Sequence, residues 1–302
     1  MTQPGDVNAL VREMAERALT LSEEKQLEVL EIALEARLEN WANHLRGISK
    51  DLARSALFQS SAKLAPRQIY ENRPVATLNS IRITYSGPEL RQDDHDVFMN
   101  LVHMARKVDL RTVVRITGNE ALRWLHWENT GENYERLRQS YWRLLKGTVI
   151  VEREVTLSKG KKWRPIYGSH LVHTIDVVDD RSPDLPWNIY LEPRMALLLT
   201  GADMTLIDYM VRMKLKPLAQ HLHAFYATHS DPIHPYKVAT LRGLCGSQQK
   251  SLPAFRQQLK TALDALKREG FIQAWALDVN DNIRVQKNPI GQAALLLELD
   301  AR

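Results

Sequence analysis

The sequence is nearly free of cysteine: Cys245 is the only one, so neither a disulfide framework nor a cysteine-based zinc finger can form within one chain. No apolar run approaches the roughly 18 residues that a membrane-spanning helix needs. The start, MTQPGDVNAL, lacks the basic and then apolar order of a secretory signal. We therefore expect a cytoplasmic protein that does not associate with membranes.

Motifs of catalysis and cofactor binding are also absent. No G-x-S-x-G, H-E-x-x-H or G-x-G-x-x-G occurs, and in GSQQKS (246–251) Gln249 occupies a position where a phosphate-binding loop needs glycine. His221-Leu222-His223, followed by Tyr226, resembles the histidine pair of enzymes that nick single-stranded DNA. The surrounding residues have helical period, which places the two histidines about 200° apart. We expect no enzyme, no metal site and no cofactor, with a nicking enzyme as a minor alternative.

Acidic residues are scarce relative to basic ones after the first 50 positions. Residues 1–50 contain six basic and nine acidic side chains, whereas the rest of the 302-residue chain contains 35 and 27. A basic body of this kind is typical of proteins with a polyanionic partner, although many other proteins also carry a basic face. At this length we expect two folded units.

The N-terminal segment has the pattern of an amphipathic helix. From Ser22 onward, apolar residues recur at spacings of three and four, and Gly47 is predicted to end the helix. We expect this helix to pack on the body of the protein. The apolar stripe consists of Leu27, Leu30, Leu34, Leu38 and Trp41.

A second helix is predicted after the strand IRITYS (81–86). It opens with RQDDHD (91–96) and carries its apolar side from Val97 onward. Three carboxylates in this first turn could hold a metal ion or complement the positive end of the helix dipole. We favour the second interpretation for Asp93, Asp94 and Asp96.

The middle of the chain has the element order of a winged helix. Thr117 and Glu120 form a capping box that starts the first helix of the pair. The elements are a strand at 113–116, a helix ending near His126, a helix at 132–146, a strand at 148–157, a basic turn at 158–165 and a returning strand at 166–178.

The C-terminal third repeats this order. Ser251 caps a long helix that has Pro253 in its first turn, where proline is tolerated, and that ends at Gly270. The elements are a helix from Pro217, a strand at 235–239, a short helix at 240–247, the long helix, and a hairpin at 271–286. The predicted fold is α+β and predominantly helical: a helical extension at 1–50 and tandem winged-helix domains at 51–185 and 186–302.

The second helix of each pair has a basic outward face. In the first unit Tyr134, Leu137, Tyr141 and Leu144 are predicted to point inward, and residues 131–170 carry nine basic and four acidic side chains. Arginine suits guanine edges, asparagine and glutamine suit adenine, and lysines in a hairpin suit phosphates. The predicted DNA contacts of this unit are Asn133, Arg136, Gln139, Ser140, Arg143, Lys146, Lys159, Lys161, Lys162 and Arg164.

In the second unit Leu252, Phe255, Leu259, Leu263 and Leu266 are predicted to point inward. Residues 246–268 carry five basic side chains and one acidic one. A solvated helix face explains one such pattern, but two of them favour DNA binding. The predicted contacts are Lys250, Ser251, Arg256, Gln257, Lys260, Lys267 and Arg284.

Several runs of this sequence resemble the TrfA family of plasmid replication initiators. The resemblance covers roughly residues 50–286 in order. The runs are DLARSALF (51–58), IRITYSGPELRQDDHDVF (81–98), YERLRQSYWRLLKGTVI (134–150), FYATHSDPIHPYKVATLRGLCGS (225–247) and KSLPAFRQQLKTALDALKREGFIQAWALD (250–278).

The resemblance implies a Rep-type initiator with two winged-helix domains that binds direct repeats, called iterons, in double-stranded plasmid origin DNA. It also implies opening of an A·T-rich segment, recruitment of the host initiator DnaA, the replicative helicase and the sliding clamp, and an inactive homodimer. The clamp-binding peptide of the family has the form Gln-Leu-x-Leu-Phe. The corresponding run, Gln26 to Leu30, lacks the terminal aromatic residue, so clamp binding through it stays open.

Two alternatives remain besides the nicking enzyme. A winged-helix autorepressor would bind its own promoter without initiating replication. An assembly protein would act mainly through the helix predicted at 22–46.

Overall fold

The computed structural model describes residues 41–61, 65–78, 80–106, 113–157, 160–199 and 203–289. The stripe from Leu27 to Leu38, the Gln26–Leu30 run and Lys159 lie outside them. Helices and strands contribute almost equally, about 39% and 34%, so the prediction of a predominantly helical protein is wrong. Several strands could not be predicted from the sequence because they are short or lack a strand pattern. The strand at 69–75 contains an internal proline and little alternation of apolar and polar residues.

The first unit begins with small strands around one long helix. Its four-stranded antiparallel sheet has the order β3 (Ile69–Val75), β4 (Ile81–Pro88), β7 (Thr148–Leu157) and β8 (Gly160–His170), while β2 (Phe58–Gln59) and β5 (Leu90–Arg91) pair in parallel. The opening elements are β1 (Leu45–Ser49), α1 (Lys50–Ala53), β2 (Phe58–Gln59), β3 (Ile69–Val75), β4 (Ile81–Pro88), β5 (Leu90–Arg91) and α2 (Gln92–Ala105). The elements that follow are β6 (Val114–Thr117), α3 (Gly118–Trp124), α4 (Gly131–Lys146), β7 (Thr148–Leu157), β8 (Gly160–His170), β9 (Val172–Val177) and β10 (Pro186–Leu191).

A connecting stretch leads into the second unit, whose sheet has the order β12 (Tyr236–Lys237), β14 (Asn282–Lys287) and β13 (Ile272–Leu277). The connecting elements are a 3-10 turn (Pro193–Met195), α5 (Ala196–Leu199), β11 (Met204–Asp208) and α6 (Tyr209–Met213). The second unit contains α7 (Pro217–Ala227), β12 (Tyr236–Lys237), α8 (Val238–Leu244), α9 (Leu252–Arg268), β13 (Ile272–Leu277) and β14 (Asn282–Lys287).

The capping signals read from the sequence are confirmed at both helix pairs. Thr117 Oγ1 accepts from the Glu120 N–H at 3.2 Å, and Glu120 Oε2 accepts from the Thr117 N–H at 2.9 Å. Ser251 caps α9 by accepting from Ala254. Gly270, just after α9, has φ +76, a left-handed conformation that glycine adopts without strain.

The hairpin that closes the first helix pair differs from the predicted one. Strand β6 pairs with β10, and β10 pairs with β9, whereas β7 and β8 extend the sheet of β3 and β4. The predicted returning strand at 166–178 is divided between these two sheets. The β6-β10-β9 order matches β12-β14-β13, since in both sheets the last strand lies between the other two. We call residues 178–185 the first closing turn and residues 278–281 the second closing turn.

The predicted domain boundary after residue 185 falls between the first closing turn and β10. Residues 186–191, which we assigned to the second unit, lie in a sheet of the first unit. The first hydrophobic core extends from Trp41 to Met204, and the second from Leu215 to Val285. The units meet at a small buried cluster of Ile48, Ala53, Met99, Ile207, Tyr209 and Ala224.

Gly47 does not end a helix but lies within strand β1, which pairs with β11. A Cβ atom at this position would lie 2.8 Å from the ring of Trp41 and 2.9 Å from the sulfur of Met204. Close packing, rather than helix termination, therefore explains the glycine. Within the described residues, no helix is long and apolar enough to span a membrane.

Candidate nucleic-acid interface

The inward faces of the two long helices are as predicted. Tyr134, Leu137, Tyr141 and Leu144 of α4 are buried. In α9, Phe255, Leu259, Leu263 and Leu266 are buried, and Leu252 is partly buried. Each helix therefore has an opposite face that is available to a partner.

The first turn of α2 removes part of the predicted face of α4. Ser140 has no exposed surface, and its hydroxyl donates to Asp94 Oδ1 at 2.6 Å. A buried side chain bonded in this way does not reach a DNA base, so the expectation of a DNA contact at Ser140 does not fit this structure. The helix wheel alone did not reveal that α2 packs against this side of α4.

Arg136 and Arg143 flank the outward face of α4 and are held by carboxylates of α2. Arg136 Nε lies 3.2 Å from Asp93 Oδ2, and its guanidinium stacks on the Trp127 ring at 3.8 Å. Arg143 lies 2.8 Å from Asp94 Oδ1. Both arginine side chains are mostly covered, so only their outer edges face solvent.

The exposed face of α4 consists of Glu132, Glu135, Gln139 and Lys146. Gln139 Nε2 donates to Glu135 Oε1 at 2.8 Å. Asn133 is partly buried and donates to the Glu128 carbonyl at 2.9 Å. Of the predicted contacts on α4, Gln139 and Lys146 are thus the most accessible.

The aspartates of α2 form a buried charge network. Asp94 also accepts from the Arg91 N–H at 2.8 Å, which caps the helix, so helix capping is only part of their role. Burial works to raise the pKa of Asp93, but Arg67 and Arg136 outweigh it and lower that pKa. Within the described residues, no cluster of side chains fits a metal ion.

The third aspartate, Asp96, binds Arg212 of α6, in the connecting stretch that leads into the second unit. Arg212 Nε donates to Asp96 Oδ1 at 2.6 Å, while its other nitrogens donate to Gln92 Oε1 and the Gln220 carbonyl at 2.9 and 2.8 Å. Burial raises the pKa of Asp96 despite this partner. The same helical turn therefore contacts both α4 and the second unit.

Residues 160–165 of the predicted basic turn lie in β8, at the outer edge of the four-stranded sheet. Lys161 and Lys162 are exposed, with Lys161 Nζ 2.9 Å from Glu154. Arg164 is partly buried, and Trp163 stacks under Arg82 at 3.8 Å. Two of the predicted lysines are therefore exposed on this edge strand.

The outward face of α9 is exposed and rich in amide and basic side chains. Gln257 and Lys267 are exposed, and Lys260 is partly exposed. Three neighbours outside the predicted contacts are also exposed: Gln258, Thr261 and Arg268. Lys250 and Ser251 are exposed at the N-terminal end of the helix. Arg284 is exposed on β14, 3.7 Å from Asp278.

Two arginines have acidic partners that the sequence pattern does not predict. Arg256 Nε and Nη2 donate to the two oxygens of Asp281 in the second closing turn, at 2.8 and 3.0 Å. Arg138 Nη1 donates to Asp180 Oδ2 in the first closing turn at 2.7 Å. Glu135, three residues before Arg138, was a local signal for an ion pair, but no local signal links a helix to a turn 42 residues away.

The histidines considered for a nicking site lie in the interior. His221 and His223 are buried, and burial lowers their pKa values to about 4 and about 3. Tyr226 has no exposed surface, and burial raises its pKa. This placement offers no exposed nucleophile at Tyr226.

The solved structures that resemble this fold include two of RctB domains. They are a crystal structure of RctB domains 2–3 (TM-score 0.53, 11% identity, 80% of this chain and 98% of that chain) and one of selenomethionine derivatives of domains 2 and 3 of RctB (TM-score 0.52, 10% identity, 75% and 94%). At these identities the likeness concerns the fold alone.

Sequence comparison is more specific. The plasmid replication initiator protein TrfA of Escherichia coli is 25% identical over 281 residues, which cover 92% of this chain and 70% of that protein. The family model described as TrfA protein matches residues 1–287. The chain therefore belongs to the TrfA family of plasmid replication initiators.

Proposed function

We propose that this chain binds direct repeats in a plasmid origin through two winged-helix units, with α4 and α9 as the reading helices. The observation that carries this proposal is the recurrence of one arrangement in both halves. In each, a strand, a short helix and a capped long helix precede a hairpin whose last strand pairs with the first strand. In the winged-helix mode of binding, the second helix enters the major groove.

The outward face of α9 supports this role directly. Gln257, Gln258, Lys260, Thr261 and Lys267 combine amide, hydroxyl and ammonium groups that suit base edges and phosphates. On α4, Gln139 and Lys146 are the exposed counterparts, with the edges of Arg136 and Arg143 beside them. Lys161 and Lys162 are proposed phosphate contacts.

The proposed activity is binding and assembly rather than catalysis, and it uses no cofactor or metal ion. In an initiator, origin binding leads to opening of an A·T-rich segment and to recruitment of DnaA, the replicative helicase and the sliding clamp. An inactive homodimer would limit this binding. Whether the run from Gln26 to Leu30 contacts the clamp is a separate part of the proposal.

The first test is a fluorescence-anisotropy titration of a labelled duplex that carries direct repeats from the origin beside the coding gene. A random duplex of the same length serves as the control at each of several salt concentrations. We expect the repeat duplex to bind at least about 10³-fold more tightly at physiological salt, as specific DNA-binding proteins do. Equal affinities for the two duplexes would contradict the proposal.

A plasmid-maintenance assay separates an initiator from an autorepressor. The protein is supplied in trans to a plasmid that carries only the candidate origin. We expect the plasmid to be maintained. Tight, specific binding without maintenance would instead support the repressor.

A further inference from the structure

Asp281 forms a two-point ion pair with Arg256 at the side of α9. Two guanidinium nitrogens of Arg256, Nε and Nη2, contact the two carboxylate oxygens of Asp281 at 2.8 and 3.0 Å. The arginine side chain remains about 31% exposed. A guanidinium has five N–H donors in one plane, so donors on Nη1 remain beyond those that contact Asp281.

The backbone of the second closing turn fixes Asp281 itself. Its φ is +61, its N–H donates to the Asp278 carbonyl at 3.1 Å, and its carbonyl accepts from the N–H of Val238 at the start of α8 at 3.0 Å. The Asp278 carboxylate accepts from the N–H groups of Asn280 and Asn282, both at 2.9 Å. The carboxylate that holds Arg256 is thus anchored to both α8 and β14.

The first unit contains a comparable arrangement. Asp180 Oδ2 accepts from Arg138 Nη1 at 2.7 Å and from Trp142 Nε1 at 3.1 Å, and the Asp180 carbonyl accepts from the Tyr134 hydroxyl at 3.1 Å. The same turn accepts, at the Pro183 carbonyl, from the N–H of Asn119 in the first turn of α3 at 3.2 Å. In both units, the closing turn therefore anchors the short helix and bonds an arginine of the long helix. In the first unit, Glu135 of α4 also accepts from Arg138 Nε and Nη2, both at 2.7 Å, so Asp180 holds the third nitrogen of this guanidinium.

We propose that Asp281 and Asp180 are positioning residues for DNA recognition, which orient Arg256 and Arg138 toward the groove that each helix reads. This inference rests on the proposed function. A free arginine loses side-chain freedom when it binds, whereas one already held in place loses less. A carboxylate close to DNA also repels phosphates, so a loss of specific binding on its removal cannot come from simple charge.

The test uses four full-length variants: D281N, R256Q, the double variant D281N/R256Q, and D264N as the matched control. Asparagine tolerates positive φ, so D281N preserves the turn while it removes the charge and the two-point contact. Asp264 is exposed on the same helix and, among the described residues, accepts from Trp275 Nε1 alone, at 2.9 Å. D264N therefore measures the effect of losing one negative charge from this region.

Affinity is measured for the repeat duplex, for a set of single-base variants of it and for random DNA, together with the unfolding midpoint. We expect D281N to weaken binding to the repeat by about ten-fold, which is the typical effect of removing one base-specific hydrogen-bond pair, and to relax preference at one base pair. D281N should bind random DNA with the same affinity as D264N does. In the R256Q background, D281N should have no further effect on preference at that base pair.

Three results would overturn the inference. D281N could match D264N on every duplex, which would leave only a charge effect. It could tighten specific binding, in which case Asp281 masks Arg256 rather than orienting it. It could lower the unfolding midpoint and both affinities together, which would make the pair merely structural.

The first unit receives the same experiment with D180N and with D184N as its control. In the part of the chain that the structure describes, the Asp184 carboxylate accepts from Asn119 Nδ2 alone, at 2.6 Å. We expect D180N to relax preference at a different base pair from D281N. If D180N changed the preference at the same base pair as D281N, or changed no preference, this would contradict a positioning role for Asp180. Equal affinity of the wild-type protein for the repeat and for random DNA would overturn the proposed function and this inference with it. Specific wild-type binding with unchanged base preference in D281N would overturn the positioning role alone.

Discussion

Asp96 on α2 and Arg212 on α6 form a buried ion pair, 2.6 Å long, between the first unit and the connecting stretch, and Arg212 also donates to the Gln220 carbonyl of the second unit. Asp93 and Asp94, on the same helical turn, hold Arg136 and Arg143 of α4. One turn of α2 therefore fixes both the orientation of the proposed reading helix α4 and the position of α6, which leads into the second unit. This turn of α2 therefore links the proposed reading helix α4 to α6.

Breaking the Asp96–Arg212 pair should destabilise the protein strongly. R212M leaves Asp96 buried without its cation, so we expect the free energy of unfolding to fall by about 3–5 kcal/mol. Urea denaturation measures the change. The control is R268A, which breaks an exposed pair with Glu269 and should cost less than about 1 kcal/mol. Similar small losses in both variants would show that the buried pair does not hold the units together.

Buried histidines near this junction predict lower stability in mild acid. The pKa values of His221 and His223 in the folded protein are about 4 and about 3, below the unfolded value of about 6.5. Between these limits the unfolded chain binds more protons, so stability falls as pH decreases from 6.5 and levels off below the folded values. Each histidine contributes up to about 1.4 kcal/mol per pH unit in this window.

Urea denaturation between pH 7.5 and 4.5 measures this slope, and H223M provides the comparison. We expect H223M to show a shallower loss of stability with decreasing pH, because one of the protonation sites is gone. An unchanged slope in H223M would mean that His223 does not contribute.

Close packing at Gly47 predicts intolerance of even a methyl group. An added Cβ would lie 2.8 Å from the Trp41 ring, so we expect G47A to lower the free energy of unfolding by about 1–3 kcal/mol. The matched control is G168A, also on a strand, where an added Cβ meets nothing within 4 Å. Thermal denaturation of both variants checks this, and equal unfolding midpoints would contradict it.

Helices and their caps were predictable because their signals are local. Thr117 with Glu120, and Ser251 ahead of an apolar period of three and four, fixed the starts of α3 and α9. The closing hairpin was not predictable in the same way. Strands β7 and β9 have similar alternation, and only pairing with the distant β6 decides which hairpin completes the unit.

The candidate site was predictable to the extent that it depends on one helix. The exposed glutamines and lysines of α9 were found from its period. Ser140, Arg136 and Arg143 were assigned to an open face because nothing in α4 itself shows that Asp93 and Asp94 cover that side. The partners of Arg256 and Arg138 were missed for the same reason, since they come from turns far along the chain.

The β7–β8 hairpin gives a prediction that concerns affinity rather than specificity. K161A/K162A should weaken binding to repeat and random duplexes by similar factors. The slope of log affinity against log salt should become less steep by about 1.8, or 0.9 for each phosphate that is no longer neutralised. Anisotropy titrations at four salt concentrations measure both quantities. A weakening confined to the repeat duplex would instead place these lysines at bases.

The most direct test of the central claim is methylation-interference and hydroxyl-radical footprinting of one repeat. We predict two protected major-groove patches on one face of the duplex, centred about one helical turn apart. Q139A/K146A should remove one patch and Q257A/K260A the other. A single patch in the wild type, or loss of both patches in either variant, would contradict recognition by one helix from each unit.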